Sequence, residues 1–165
     1  GRVHHLKKMS NGTRFLPYAT SLRMGPLGYQ SDAQSAISVS YNNLKSYAQS
    51  LYDALTQPYP PYAAIGLSSQ GQPIQLSNAL LQIENEFYGT IRPKQPIQFG
   101  ERPLLALNRR GVEYVEVRCV DLDPYEDIGI TKETIAFLDT FLLFCLMYKS
   151  STDSIDEDRS NRENQ

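Results

Sequence analysis

Two charged side chains near the middle of the chain have a spacing that could support chemistry. Glu116 and Arg118 lie two residues apart in Gly111–Leu122, a segment that alternates with period two, as a half-buried β-strand does. Val115 and Val117 then occupy the opposite, core-facing side. Residues two apart on a strand face stand about 6–7 Å apart at the backbone, so both side chains could reach one small anionic ligand and its metal ion. An ordinary exposed ion pair would fit the same spacing.

A second segment, Leu81–Lys94, shows the same alternation and predicts a second strand. Its apolar residues share one parity and its charged or hydroxyl residues, including Tyr88 and Arg92, share the other. If the two strands pair in one antiparallel sheet, their polar faces can line a single cleft while helices cover the apolar side. The pattern therefore predicts an α+β fold with a site on one face of an antiparallel sheet.

A turn earlier in the chain carries two further candidates. Gly25-Pro26-Leu27-Gly28 has Pro at the second position and Gly at the fourth, which favours a tight turn. The turn separates Arg23 from Tyr29 and could aim both side chains at one small ligand. A loop in which Arg23 forms an ion pair and Tyr29 packs is the alternative.

Helices should support these segments. Tyr41–Thr56 has apolar residues at three- and four-residue intervals, with Ser40 as a suitable N-cap and prolines after its end. Pro103–Arg110 predicts a short helix. Thr131 can cap a helix that is apolar nearly all round between residues 135 and 147, so this helix is expected to be deeply buried.

The rest of the chain sets its organisation. Residues 1–14 form a polar segment, residues 15–149 the central part of one domain, and residues 150–165 a polar tail with almost nothing to bury. Gln70-Gly71 predicts the turn of a hairpin. Because the chain does not begin with Met and neither end coincides with a clear structural boundary, we expect it to be a fragment of a longer protein.

Composition narrows the classes of function. The 165 residues carry a net charge of −2, which gives no long-range attraction to nucleic acid or anionic membranes. Cys119 and Cys145 lie in apolar surroundings without CxxC spacing, which predicts reduced core residues of a cytoplasmic protein. The longest apolar run, Phe141–Met147, is too short to span a bilayer. No phosphate-cradling or dinucleotide-binding glycine motif is present.

Three long strings of residues resemble one family. LPYATSLR(M)…LGY at Leu16–Tyr29, LQIENEFY…IRPK at Leu81–Lys94 and GVEYVEVR at Gly111–Arg118 are similar, in order and separation, to bacterial glutamate–cysteine ligase of the proteobacterial type. The resemblance runs through residues 15 to 147. It implies a glutamine-synthetase-like α+β fold in which one face of an antiparallel sheet lines a funnel-like active site.

The resemblance also implies an activity, the first step of glutathione biosynthesis. ATP phosphorylates the side-chain carboxylate of glutamate, and the amine of cysteine then displaces phosphate to leave an amide. Mg²⁺ is the implied cofactor, with ATP as co-substrate. The implied partners are these small molecules and the rest of the full-length chain, with no nucleic acid or membrane.

The family's site residues match individual positions of this chain. The strand acid matches Glu116, which the resemblance implies as a Mg²⁺ ligand, and the arginine two residues later matches the catalytic Arg118, which would neutralise the transferring phosphoryl group. Arg23, Tyr29 and Tyr88 match residues of the amino-acid pocket, with Arg23 pairing a substrate carboxylate. Arg92 could contact the nucleotide's phosphate or the substrate.

What the chain lacks leaves alternatives open. Most of the acidic metal ligands and part of the cysteine pocket lie in family segments that these residues do not match, so this chain alone is expected to be inactive. One alternative is a non-catalytic module that binds an amino acid. Another is a related carboxylate–amine ligase that uses a different acceptor amine.

Overall fold

The structure, a computed structural model, describes residues 6–17, 21–25, 27–28, 31–35, 37–152, 154, 156–157 and 159–160. Short strands and helices are interspersed along the chain. The strands are β1 (Lys7–Lys8), β2 (Arg14–Phe15), β3 (Ser68–Ser69), β4 (Gln72–Pro73), β5 (Ile91–Lys94) and β6 (Tyr114–Val117). The helices are α1 (Asp32–Ser35), α2 (Leu44–Thr56), α3 (Pro60–Ile65), α4 (Pro103–Arg110) and α5 (Lys132–Met147), and a 3₁₀ turn covers Glu84–Glu86.

The core forms where α2 and α4 pack together. The amphipathic pattern of α2 places Leu51 and Ala54 inside, and Leu107 of α4 joins them. Leu81 is fully buried in the same cluster. Burial of such side chains stabilises a domain by about 1.5–3 kcal/mol each, so this cluster anchors the segment that leads toward Tyr88.

Neighbouring groups form hydrogen bonds with the backbone amides and carbonyls at the two ends of α2. Asn43, not Ser40, is the N-cap, because its side chain accepts a hydrogen bond from the Ser46 amide at 2.9 Å. The prediction of Ser40 was therefore wrong by three residues, and asparagine is an equally strong cap. At the other end, the Leu81 amide donates to the Ala54 carbonyl at 3.0 Å, which satisfies a carbonyl that has no partner within the helix.

The predicted antiparallel pairing of the two candidate strands is confirmed. β5 and β6 pair with Arg92 opposite Glu116 and Lys94 opposite Tyr114. Side chains directly opposite each other in an antiparallel pair lie on the same face. The polar residues of both strands therefore share one surface. β1–β2 and β3–β4 form two further two-stranded antiparallel sheets within the described residues.

The strand predicted over Leu81–Lys94 is correct only for its last four residues. Before them the chain bends through the 3₁₀ turn, where the Gln82 amide donates to the Glu86 side chain at 2.7 Å. Such side-chain-to-backbone bonds compete with a strand ladder. Alternation alone could not reveal this competition.

The prediction for α5 is half right. Thr131 caps the helix by accepting from the Thr134 amide, as expected. The prediction of deep burial was wrong, because α5 has no buried residue and Leu146 is 83% exposed. The helix faces the apolar side of the β5–β6 sheet across a cavity of about 540 Å³, and nothing in the described part of the chain covers its other apolar side chains.

The prediction for the cysteines is correct only in part, whereas the prediction for the hairpin turn is correct. Both cysteines are free, but Cys145 is exposed on α5, so its assignment to the core was wrong, while Cys119 is half-buried. Gln70 and Gly71 form the turn between β3 and β4 with φ of 50° and 78°, as predicted. Among the described residues, no helix has the length and apolar character needed to cross a membrane.

Candidate functional site

The polar face of the β5–β6 sheet gathers three cationic side chains around one carboxylate. Lys94 Nζ lies 3.2 Å from Glu116 Oε2, and Arg118 Nη1 lies 3.4 Å from Glu116 Oε1. Arg92 stands directly across the strand pair from Glu116. The Arg118 amide donates to the Thr90 carbonyl at 2.8 Å, which extends the pairing past β6 and fixes the backbone of Arg118. The surplus of positive charge suits an anionic ligand.

The electrostatics of this face keep Glu116 ionised. Partial burial acts to raise the pKa of Glu116, but the ion pair with Lys94 and the nearby guanidinium of Arg118 outweigh it and lower that pKa. Arg92 is only 7% exposed, and burial together with the Arg118 charge lowers its pKa. The positive charges repel one another, so a bound anion would relieve that repulsion.

Tyr88 joins this cationic face to the loop that carries Arg23. Arg23 Nε donates to the Tyr88 hydroxyl at 2.9 Å. The guanidinium carbons of Arg23 and Arg118 lie 5.8 and 5.2 Å from the Tyr88 ring centroid, within the range of a cation–π contact. The polar side chains of the two predicted segments, Glu116, Arg118 and Tyr88, therefore lie together as predicted, and the structure adds Arg23 to this group.

The backbone around Tyr88 is held from two sides. Gln34 of α1 accepts a hydrogen bond from the Tyr88 amide at 2.9 Å and donates to the Glu86 carbonyl at 2.6 Å. Arg92 Nη2 donates to the Asn85 carbonyl at 3.0 Å. Arg92 thus supports the turn that precedes Tyr88 as well as adding charge next to Glu116. Sequence reasoning did not find Gln34, because an isolated glutamine carries no local signal.

The loop that carries Arg23 is held by Asp121, a residue that the sequence analysis did not single out. Asp121 accepts from the Ser21 hydroxyl at 2.9 Å, the Leu22 amide at 2.6 Å and the Arg23 amide at 3.1 Å. The predicted turn after Arg23 is confirmed by a hydrogen bond from the Gly28 amide to the Gly25 carbonyl at 2.9 Å. A Cβ on Gly28 would collide with the Arg23 carbonyl, so this turn requires glycine.

One predicted site residue is not described by the structure, and the predicted metal site is not a ready-made cluster among the described residues. Tyr29 lies outside the described residues. The described residues contain no group of three or more His, Cys, Asp or Glu side chains that could hold a metal ion. Mg²⁺ is commonly held by one or two carboxylates together with phosphate oxygens, so Glu116 fits as one ligand of a metal–phosphate complex and not as a metal site by itself.

A cationic face on a small antiparallel sheet, beside a tyrosine that contacts two arginines, has the charge to attract small phosphorylated or carboxylate ligands. The family model for glutamate–cysteine ligase matches residues 1–165. The chain therefore belongs to the glutamate–cysteine ligase family, as the three sequence strings indicated.

Two individual relatives carry the name of the same family. The chain is 53% identical over 160 residues to a protein named glutamate–cysteine ligase from Hahella chejuensis, covering 97% of this chain and 30% of the relative. It is also 53% identical over 163 residues to the protein of that name from Janthinobacterium sp., covering 99% and 30%. The chain thus spans about 30% of the length of the curated relatives it matches.

A solved structure supports the fold. The crystal structure of glutamate–cysteine ligase from Francisella tularensis in complex with AMP matches 99% of this chain and 33% of its own, with a TM-score of 0.84 and 44% identity. This chain's mixture of helices and small antiparallel sheets is therefore a fold that it shares with that structure.

Proposed function

We propose that the full-length protein containing this chain ligates L-glutamate to the amine of L-cysteine in a reaction that depends on ATP and Mg²⁺, the first step of glutathione biosynthesis. The observation that carries the proposal is the joint face of Arg118, Glu116, Tyr88 and Arg23, in a chain that belongs to this family. One end of this face suits a phosphoryl group and the other suits an amino acid.

Arg118 is the proposed catalytic residue. Its guanidinium stabilises the negative charge on the phosphoryl group as the glutamate side-chain carboxylate attacks the terminal phosphorus of ATP. A new carboxyl-oxygen–phosphorus bond forms, and the bond to ADP breaks. The amine of cysteine then attacks the acyl carbon, phosphate leaves with the bridging oxygen, and the amine loses a proton. Because Arg118 is only 18% exposed at its side chain, its charge is poorly screened by water.

The amino-acid pocket is proposed to contain Arg23, Tyr29 and Tyr88. Arg23 forms no ion pair among the described residues, so its guanidinium can pair with a substrate carboxylate. The hydrogen bond to the Tyr88 hydroxyl orients that guanidinium. Tyr88 also contacts Arg118, which brings the amino-acid end close to the phosphoryl end.

Glu116 is the proposed Mg²⁺ ligand of this chain. Its lowered pKa keeps the carboxylate available at neutral pH. The metal, when bound, neutralises charge on the phosphate oxygens of ATP. Arg92 is proposed to act on the phosphate or substrate through its positive charge, since it is nearly buried and its Nη2 already donates to a backbone carbonyl.

The finer description of the fold also belongs to the proposal. The single polar face of β5–β6, with α5 on the opposite side, supports a sheet whose polar face lines a glutamine-synthetase-like funnel completed by the rest of the full-length chain. The two free cysteines support a reducing compartment such as the cytoplasm.

Phosphate release by the purified full-length protein tests the proposal. Release should require ATP, Mg²⁺, glutamate and cysteine together, and omission of any one should reduce it to background. Release with glutamate and a different amine would assign the protein to a related carboxylate–amine ligase. Calorimetric binding of an amino acid, with no ATP consumption under any condition, would support a non-catalytic binding module.

A further inference from the structure

Asp121 lies outside the predicted site but contacts the loop that positions Arg23. Asp121 follows β6 and comes three residues after Arg118. The loop that it contacts lies nearly one hundred residues earlier in the sequence. Its two carboxylate oxygens accept three hydrogen bonds from consecutive residues, Ser21, Leu22 and Arg23, at 2.6 to 3.1 Å. Hydrogen bonds to an ionised acceptor are the stronger kind.

This arrangement connects the two arginines that contact Tyr88. The Arg118 amide donates a hydrogen bond to the Thr90 carbonyl. The backbone continues from Arg118 to Asp121, which accepts a hydrogen bond from the Arg23 amide. The same short segment therefore carries Arg118 and holds the backbone of Arg23 through a carboxylate. Both guanidiniums lie within 6 Å of the Tyr88 ring centroid.

We infer that Asp121 is a positioning residue for the amino-acid pocket, acting through Arg23 to keep its guanidinium beside Tyr88. The inference rests on the proposed function for its substrate. The inferred role works through the hydrogen bonds that Asp121 accepts from described residues of the loop, and it needs no metal ion. The hydrogen bonds from Leu22, Arg23 and Ser21 lower the pKa of Asp121, in agreement with a carboxylate that stays ionised in this position.

The test compares two neighbouring aspartates in the full-length protein. Asp121→Asn replaces one acceptor oxygen by an NH₂ group, so at least one of the three donors faces another donor. Asp123→Asn makes the same chemical change two residues away, where the carboxylate accepts only a local bond from the Tyr125 amide at 2.9 Å among its described contacts. We expect Asp121→Asn to raise the KM of one amino-acid substrate about tenfold, with kcat changed less than about threefold. Asp123→Asn should leave both values within about twofold of the wild type.

A double-mutant cycle separates positioning from general damage. In an Arg23→Ala background, Asp121→Asn should raise the same KM by less than about twofold, because the group through which it acts is already gone. An unchanged, roughly tenfold effect in that background would overturn the inference. Equal effects of Asp121→Asn and Asp123→Asn would overturn it as well.

Hydrogen exchange gives a readout that does not depend on catalysis. Mass spectrometry of a peptide containing residues 21–25 should show amide exchange at least about tenfold faster in Asp121→Asn than in Asp123→Asn, because the Leu22 and Arg23 amides lose their acceptor. Unchanged exchange overturns the inference. If the wild type releases no phosphate, the proposed function fails while this measurement still decides the role of Asp121 in the loop. Should Asp121→Asn be insoluble, Ser21→Ala removes one of the three bonds, and a KM rise of about threefold that disappears in the Arg23→Ala background is then expected.

Discussion

The two sides of the β5–β6 sheet differ in how many contacts the described part of the chain gives to their side chains. On the polar side, Glu116 has cationic partners at 3.2 and 3.4 Å, and Tyr88 is held by Gln34 and contacted by two arginines. On the apolar side, α5 faces the sheet across a cavity of about 540 Å³ and exposes most of its large side chains. Local polar contacts assemble one side, whereas the other lacks partners in the described part of the chain.

This difference shows which kinds of interaction can form within a chain that spans about 30% of the length of its relatives. Hydrogen bonds and ion pairs form between single neighbours, so a few loops suffice to build the polar face. An apolar helix needs a whole covering surface before its burial becomes favourable. The chain spans about 30% of its relatives, so we expect the remaining length to cover α5.

The largest expected effect on the polar side comes from Arg118→Lys. The variant keeps a positive charge but loses the planar fork that can contact two phosphoryl oxygens, so kcat of the full-length protein should fall about 100-fold. Arg109→Lys, on the exposed end of α4, is the matched control and should leave kcat within about twofold. Steady-state phosphate release measures both, and a near-normal rate for Arg118→Lys would remove this arginine from the mechanism.

On the apolar side, Leu146→Ser tests whether α5 is covered in the full-length protein. Removing the side chain of a buried leucine lowers the free energy of unfolding by about 2–5 kcal/mol. A substitution at an exposed position changes it by less than about 0.5 kcal/mol. We expect the larger value, measured by urea denaturation, although Leu146 is 83% exposed in this chain alone. Lys132→Ser, at a side chain 91% exposed on the same helix, is the control, and equal small effects would contradict coverage of α5.

A smaller effect is expected for Tyr88→Phe. The ring and its contacts with both guanidiniums remain, while the hydroxyl that accepts from Arg23 Nε at 2.9 Å is lost. The KM of an amino-acid substrate should rise about tenfold, with little change in kcat. Tyr52→Phe, at an exposed tyrosine of α2, provides the comparison. A fall in kcat without a change in KM would place Tyr88 in the phosphoryl step instead.

The smallest effect concerns an ion pair away from the site. Glu101 accepts two bonds from Arg110 at 2.8 and 2.6 Å, and this side-chain hydrogen bonding lowers the pKa of Glu101 to about 2 from 4.5. A depressed pKa in the folded state means that the pair contributes stability above about pH 4.5 and loses it as the pH falls toward 2. The difference in urea midpoint between the wild type and Glu101→Gln should therefore narrow between pH 6 and pH 3. A constant difference would contradict this assignment.

The sequence was sufficient for the strands that carry the site but not for the contacts that hold them. Period-two alternation predicted that Glu116 and Arg118 share a face, and the 3.4 Å contact between Arg118 Nη1 and Glu116 Oε1 agrees with it. The same alternation failed over residues 81–90, because a hydrogen bond between Gln82 and Glu86 favours a 3₁₀ turn there. Asp121 was missed, since its partners lie about one hundred residues away.

The prediction for α5 failed for a different physical reason. An apolar helix indicates burial only if the covering surface belongs to the same chain, and composition cannot say which segments supply it. Cys145 was assigned to the core by the same reasoning and is exposed. Local caps such as Thr131 and turns such as Gln70-Gly71 were predictable, because their signals depend on adjacent residues alone.

The most direct test of the shared site follows an oxygen atom. Glutamate labelled with ¹⁸O in its side-chain carboxylate is supplied to the full-length protein with ATP, Mg²⁺ and cysteine, and the released phosphate is analysed by mass spectrometry. Because the carboxylate oxygen bridges carbon and phosphorus before the amine displaces phosphate, each phosphate should carry one ¹⁸O atom, and Arg118→Lys should slow this transfer about 100-fold. Unlabelled phosphate, or a transfer rate unaffected by Arg118→Lys, would contradict the account.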